Sequence, residues 1–192
     1  MSKQRKPSDN GVIRRSVTLE GVRPIMFDRY AGDNKTQLPP DQKLYLDEDG
    51  NIVLPAANVQ SFLCAENTKS AVKMLYEPRR YKPVAQAVLG YVTIEPFLIP
   101  FTRKGKPIPF EGFNGDGVWL HESVARLDKG IPNPKRRPVL NVPWNLTMTV
   151  SLFPNDVVDE ASVRALFERC GIPIGLGTYR GVFGKFVVAQ WD

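Results

Sequence analysis

Hydrophobic and polar residues alternate most cleanly in "NVPWNLTMTVSLF" at 141–153. Trp144, Leu146, Met148, Val150 and Leu152 fall in one set, and Asn145, Thr147, Thr149 and Ser151 in the other. A period of two sends the sets to opposite faces of a sheet, so the pattern predicts a half-buried strand. The stretch "DEASVRALFERCG" at 159–171 changes period, with Val163, Leu166, Phe167 and Cys170 at helical spacing. It predicts a helix whose apolar stripe belongs to the core. Asp159 is placed to cap it, Glu160 suits its positive end, and Gly171 is placed to end it in a left-handed conformation.

The remaining elements follow the same logic. Rough alternation of β-branched residues predicts a first strand over about 12–27, with Pro24 marking an edge or a bend. Two apolar runs around Asp49-Gly50 predict a hairpin at 43–55. Val59, Phe62, Leu63, Val72, Leu75 and Tyr76 predict a helix or a broken pair of helices, with Asn58 as its cap. The run "VAQAVLGYVTIEPFLIPF" at 84–101 predicts a second long strand, and "VFGKFVVAQWD" a final one. Residues 102–140 are rich in Pro and Gly and show no steady period, as functional or disordered loops do. The order is strand, helix, strand, strand, helix, strand. That order predicts an α+β fold, the ferredoxin-like (RRM-like) βαββαβ arrangement: an antiparallel sheet with two helices, here with an added hairpin and a long insertion at about 102–140. Residues 1–11 read as a disordered basic arm and 12–192 as a single domain.

Composition changes the picture in one respect. The 192-residue chain carries 26 Lys and Arg against 20 Asp and Glu, a formal net charge of +6, which favours polyanionic partners. The cations cluster: Arg14 and Arg15 in the first strand, Arg79 and Arg80 after the first helix, Arg103, Lys104 and Lys106, then Lys135, Arg136 and Arg137. No apolar run reaches the roughly 18 residues of a membrane span, and the start lacks the apolar core of a signal peptide. Cys64 and Cys170 sit in apolar helical patterns without metal spacing, which reads as two buried thiols in the cytoplasm of a bacterial or phage-infected cell.

Catalytic signals are sparse. His121 is the sole histidine, which removes any two-histidine metal site. Asp28 and Asp33, in the loop after the first strand, are of the type that holds a magnesium ion near a phosphate. His121 is a candidate general acid–base. Neither a cofactor motif nor a metal-ligand spacing is present.

Five glycines, Gly171, Gly175, Gly177, Gly181 and Gly184, crowd the segment before the last strand, beside Tyr179, Arg180 and Lys185. This is neither a Walker loop nor a dinucleotide fingerprint. Glycine there permits positive φ and bares amides to a phosphate, with Arg180 or Lys185 supplying charge and Tyr179 a stacking surface. The alternative is a tight crossover packed on the first helix.

At this point the residues resemble a known family. "DGNIVLPAANVQSFL" looks like a segment of the RAMP superfamily, the repeat-associated proteins of CRISPR effector complexes, and "CGIPIGLGTYRGVFGKFVV" resembles its glycine-rich loop and final strand. Ser61 stands where that pattern has glycine. The similarity is nearest to the backbone subunits that polymerise along guide RNA; similar stand-alone proteins occur in phage and prophage genomes. The resemblance implies a ferredoxin-like fold, binding of single-stranded RNA or DNA through backbone contacts and basic side chains, and head-to-tail assembly into a homo-oligomer or filament. A thumb reaching the neighbour would be the 102–140 stretch, and Asp33 lies in the loop where some subunits carry a cleaving aspartate.

The leading expectation is a non-catalytic single-stranded nucleic-acid-binding protein with phosphates held by Arg14, Arg15, Arg79, Arg80, Arg103, Lys104, Arg180 and Lys185, bases against Tyr30 or Tyr179, and no membrane partner. The alternatives are a structural or assembly protein, of phage origin, with an incidental basic surface, and an RNA endonuclease.

Overall fold

The computed structural model describes residues 11–33, 36–126 and 132–192; the basic arm, Gly11 apart, lies outside them. The strands are β1 (Ile13–Gly21), β2 (Ile25–Met26), β3 (Val53–Pro55), β4 (Val92–Glu95), β5 (Leu98–Arg103), β6 (Lys106–Pro107), β7 (Val118–Arg126), β8 (Pro132–Leu140), β9 (Asn145–Leu152) and β10 (Phe186–Trp191). The helices are α1 (Ala56–Cys64), α2 (Ala71–Leu75), α3 (Tyr81–Tyr91) and α4 (Glu160–Cys170).

The main sheet is antiparallel and runs β10-β1-β9-β5-β3, with β4 also on β9 and β6 on β5. A second antiparallel sheet runs β2-β8-β7. On β9, Leu146, Met148, Val150 and Leu152 are buried as the alternation predicts. Val17, Leu19 and Phe186 join them under α1 and α4, where Phe62, Phe167 and Phe186 pack ring against ring. The opposite face of the sheet is a polar surface of Ser16, Thr18, Thr93, Thr147 and Thr149, with the Thr18 and Thr147 hydroxyls bonded at 3.0 Å. It carries no aromatic side chain on β1, β4 or β9 of the kind on which RRM domains stack bases.

Four expectations are corrected. The predicted strand at 84–101 is a helix for its first half. Pro83 falls in the first turn of α3, where a missing amide costs nothing, and Val84, Ala85, Ala87 and Val88 bury a helical face. The insertion at 102–140 contains a long hairpin rather than an irregular loop: β7 and β8 pair over nine positions. The first strand breaks before Pro24, and Ile25 and Met26 cross to the second sheet, opposite Leu140 and Val139. Gly171 is right-handed (φ −58°, ψ −42°); glycine is required there because a Cβ would lie 2.5 Å from the Phe186 carbonyl oxygen. The first predicted helix takes its broken-pair form as α1 and α2, and with α3 the α-helices among the described residues number four.

The turn at Asp49-Gly50, the buried thiols and the cap of α4 are as expected. The Asp47 carboxylate accepts the amides of Asp49 and Asn51 and closes the Asp49-Gly50 turn. Cys64 and Cys170 are buried free thiols, and burial pushes the Cys170 thiol up to about 11. Among the described residues no helix is long and apolar enough to cross a membrane. Asp159 accepts the Ser162 amide at 2.8 Å and is held below the ordinary carboxylate range by that bond. Asp159→Ala should therefore cost about 1 kcal/mol in urea denaturation, the usual loss of a helix cap.

Candidate nucleic-acid interface

The strand register brings one end of the sheet to a focus. Gly21 pairs with Phe186, Glu20 with Asn145, and Thr102 with Asn145. The end of β1, the start of β10, the start of β9 and the end of β5 therefore lie side by side. Trp144, fully buried, closes this end beneath Gly21, where a Cβ would meet the indole at 2.1 Å, and its Nε1 donates to the Arg23 carbonyl at 3.0 Å.

Around that end sit Arg103, Lys104, Lys185 and the glycine loop. Arg103 donates to the carbonyls of Pro143 (2.9 Å) and Asn141 (3.1 Å), so it braces the turn that enters β9. Lys104 and Gly105 form the tight turn between β5 and β6, both at positive φ. Lys185 follows the loop, and its carbonyl accepts the Val22 amide at 2.8 Å. The structure does not bring the other predicted cations here. Arg14 and Arg15 start β1, at the opposite end of the sheet. Arg15 binds Glu160 through Nε (2.5 Å) and Nη2 (2.8 Å), which raises its own affinity for protons and lowers that of Glu160. Arg79 and Arg80 lie in the exposed turn before α3.

The loop itself is a packed crossover. Gly175, Gly177, Gly181 and Gly184 all have positive φ. Cβ atoms at Gly177 and Gly184 would lie 2.5 Å from the Met26 oxygen and 2.0 Å from the Leu176 oxygen. The amides are given to protein acceptors: Leu176 to Gly184, Thr178 to Met26, Gly181 to Ile174 and Gly184 to Pro24. The Gly177 amide goes to the Asn58 side chain at 2.9 Å. Asn58 therefore does not cap α1, which begins at Ala56; one helical turn along, Ser61 Oγ accepts Arg180 Nη2 at 3.0 Å. Asn58 and Ser61, three residues apart on one helix face, seat the loop. With Gln60, which bonds the Val88 carbonyl instead, they are the polar residues of an otherwise apolar helix, and that was the signal available in the sequence.

Arg180 is the unusual cation of the set. It is half-buried, its Nε reaches the Gly177 carbonyl, and its buried Nη1 has no hydrogen-bond partner among the described residues. Burial lowers its proton affinity, yet a guanidinium remains charged at any physiological pH. Beside it Tyr179, at φ 53°, is 57% exposed. Tyr179 leans on Phe183 (6.0 Å between ring centroids), Phe183 meets His121 edge-on (5.4 Å), and His121 meets Trp119 (5.8 Å). This row links the loop to β7, and neither Phe183 nor Trp119 was picked out by sequence.

The three catalytic candidates are otherwise engaged. Asp28 sits between Arg137 Nε (2.7 Å) and Lys43 Nζ (3.3 Å). Asp33 accepts the Thr36 amide and hydroxyl. His121 belongs to the aromatic row. Among the described residues no three metal-ligating side chains come together.

No protein-family model and no curated protein matches the chain. A solved structure is similar: a chain of the cryo-EM structure of the Type III-B Cmr-beta bound to cognate target RNA, with a TM-score of 0.51, 11% identity and 94% of this chain covered. The match spans 60% of that chain. At such identity the likeness is one of fold, a mixed α/β architecture built on an antiparallel sheet that resembles a subunit of that complex.

Proposed function

We propose that this chain is a non-catalytic single-stranded nucleic-acid-binding protein with a ferredoxin-like, RAMP-type fold, and that copies pack head to tail along the strand. The observation that carries the reading is Arg180. The half-buried guanidinium is bonded to a hydroxyl and a carbonyl and, among the described residues, forms no ion pair, so its charge is not neutralised within the protein. Buried polar groups are almost always paired, and a phosphate oxygen is the geometric match for a guanidinium fork. Tyr179 stands exposed next to it as a surface for a base, and Lys104 and Lys185 line the same sheet end. The strand order β10-β1-β9-β5 supports the fold, since it places the four predicted strands as fourth, first, third, second. The hairpin β7–β8, with Val124 62% exposed, supports contact with a neighbouring copy.

Fluorescence anisotropy with labelled single-stranded RNA and DNA tests this, with light scattering to follow particle growth. Affinity should fall steeply as salt rises, because Lys and Arg displace condensed counterions. Arg180→Ala should weaken binding about tenfold with folding intact, the loss of about 1.4 kcal/mol from one charged hydrogen-bonded contact. A flat salt dependence, or unchanged affinity in the variant, would leave the assembly-protein alternative in its place.

A further inference from the structure

On the other flank of the glycine loop lies a groove that the strand-binding site does not use. It runs between the α1–α2 connection and Pro173–Ile174, with a volume of about 620 Å³, within the roughly 300–1,000 Å³ typical of small-ligand sites. Its two sides differ. Met74, Pro173 and Ile174 supply an apolar wall; Met74 is 51% exposed and Ile174 anchors it to the core. Lys69, Ser70 and Lys73 supply the polar one.

Ser70 carries the argument. It is 1% exposed, and its Oγ has no hydrogen-bond partner among the described residues. A buried hydroxyl left unpaired is unfavourable unless something else bonds it. The two lysines add charge, and among the described residues neither is ion-paired. Lys73 donates to the carbonyls of Glu66 and Thr68, which are uncharged acceptors, and lies over the Tyr81 ring at 5.6 Å. An occupant that matches this lining carries an anion for the lysines, an apolar part for Met74 and Ile174, and a hydrogen-bonding group for Ser70.

We propose that this groove binds a single nucleotide, with the phosphate against Lys69 and Lys73, the base along Met74 and Ile174, and a sugar or base group bonded to Ser70 Oγ. The nucleotide has two sources, a free one in solution or one unstacked from a bound strand. Only the second rests on the strand-binding reading above.

The test is a nitrogen-15 NMR titration of the whole chain with AMP, UMP and inorganic phosphate in separate arms. The expected result is saturable shifts of amides at 67–74 and 173–174 with both nucleotides, and weaker ones with phosphate. Ser70→Ala and Lys69→Ala should each weaken nucleotide binding about threefold to tenfold. Ser70→Ala should not lower the melting temperature, since it deletes an unpaired hydroxyl, which separates a lost ligand contact from a damaged fold. A strand that displaces AMP identifies the strand as the source; independent binding identifies free nucleotide. No shifts up to about 10 mM nucleotide, shifts confined to the Tyr179–Lys185 region, or phosphate acting as strongly as AMP would each overturn the proposal. The strand reading stands or falls separately, on the Arg180→Ala anisotropy.

Discussion

Gly184→Ala is expected to lower unfolding free energy by about 3 kcal/mol or more, a loss at the severe end for a single substitution. Two causes add. The residue sits at φ 68°, where a non-glycine residue costs about 1 kcal/mol or more. A Cβ would also lie 2.0 Å from the Leu176 oxygen and 2.9 Å from its nitrogen, atoms of a rigid backbone that cannot swing aside. To make room, the loop must give up the Leu176–Gly184 and Gly184–Pro24 hydrogen bonds, which tie it to itself and to β1's continuation. In a domain of this size the melting temperature should fall by about 6–12 °C. Gly181→Ala is the internal control. Its φ is also positive (88°), but the nearest atom to a Cβ is 3.9 Å away, so its cost should stay near 1 kcal/mol. Equal costs for the two variants would show that close packing is not what selects glycine in this loop.

The second large effect is expected at Asp28. Its carboxylate lies between Arg137 and Lys43, whose side chains are 17% and 7% exposed. Asp28→Asn keeps the shape and removes the charge, leaving two poorly solvated cations facing each other. Breaking a buried ion pair costs about 3–5 kcal/mol; since Asp28 is itself a quarter exposed, about 2–4 kcal/mol is expected in denaturant titrations. The same variant should loosen the hairpin. Among the described residues, polar ties hold β8 outside β7 through two residue pairs to β2, the Phe27–Pro138 bond, the Lys43 bond to the Arg136 carbonyl and the Arg137–Asp28 pair itself. Hydrogen exchange in β8 should quicken more than in β9. Adding Lys43→Met should recover part of the stability, because it deletes one of the stranded charges. A loss under about 0.5 kcal/mol would mean that solvent screens the trio as it does a surface pair.

What the sequence revealed follows how strictly each segment kept its period. β9 and α4 were legible because one face of each is apolar at nearly every expected position. α3 was not, because Val84, Ala85, Ala87 and Val88 satisfy a buried strand as well as a helix; what separates the two is Pro83, which suits the first turn of a helix. The hairpin hid behind proline. Pro132, Pro134 and Pro138 look fatal to a strand, yet their even spacing aims every missing amide along one edge. The Pro138 carbonyl, on that edge, accepts from Phe27 rather than from β7, so the ladder with β7 is untouched. The candidate site was half visible. Tyr179, Arg180 and Lys185 are neighbours in the chain, whereas the joining of Arg103 and Lys104 to them depends on strand order. Arg15 was misleading for a simple reason: its partner Glu160 lies 145 residues away, beyond any local pattern.

The position of β1 bears on how the chain is made. It is an interior strand of the main sheet, yet both its neighbours, β9 and β10, are encoded beyond residue 144. A ribosome must synthesise three helices and the whole hairpin before β1 has anything to pair with. Until then its two open edges are templates for stray association, and contacts of such sequence separation form slowly. Arg14 and Arg15 put two like charges at the start of that strand, and charge on an open edge disfavours edge-to-edge pairing.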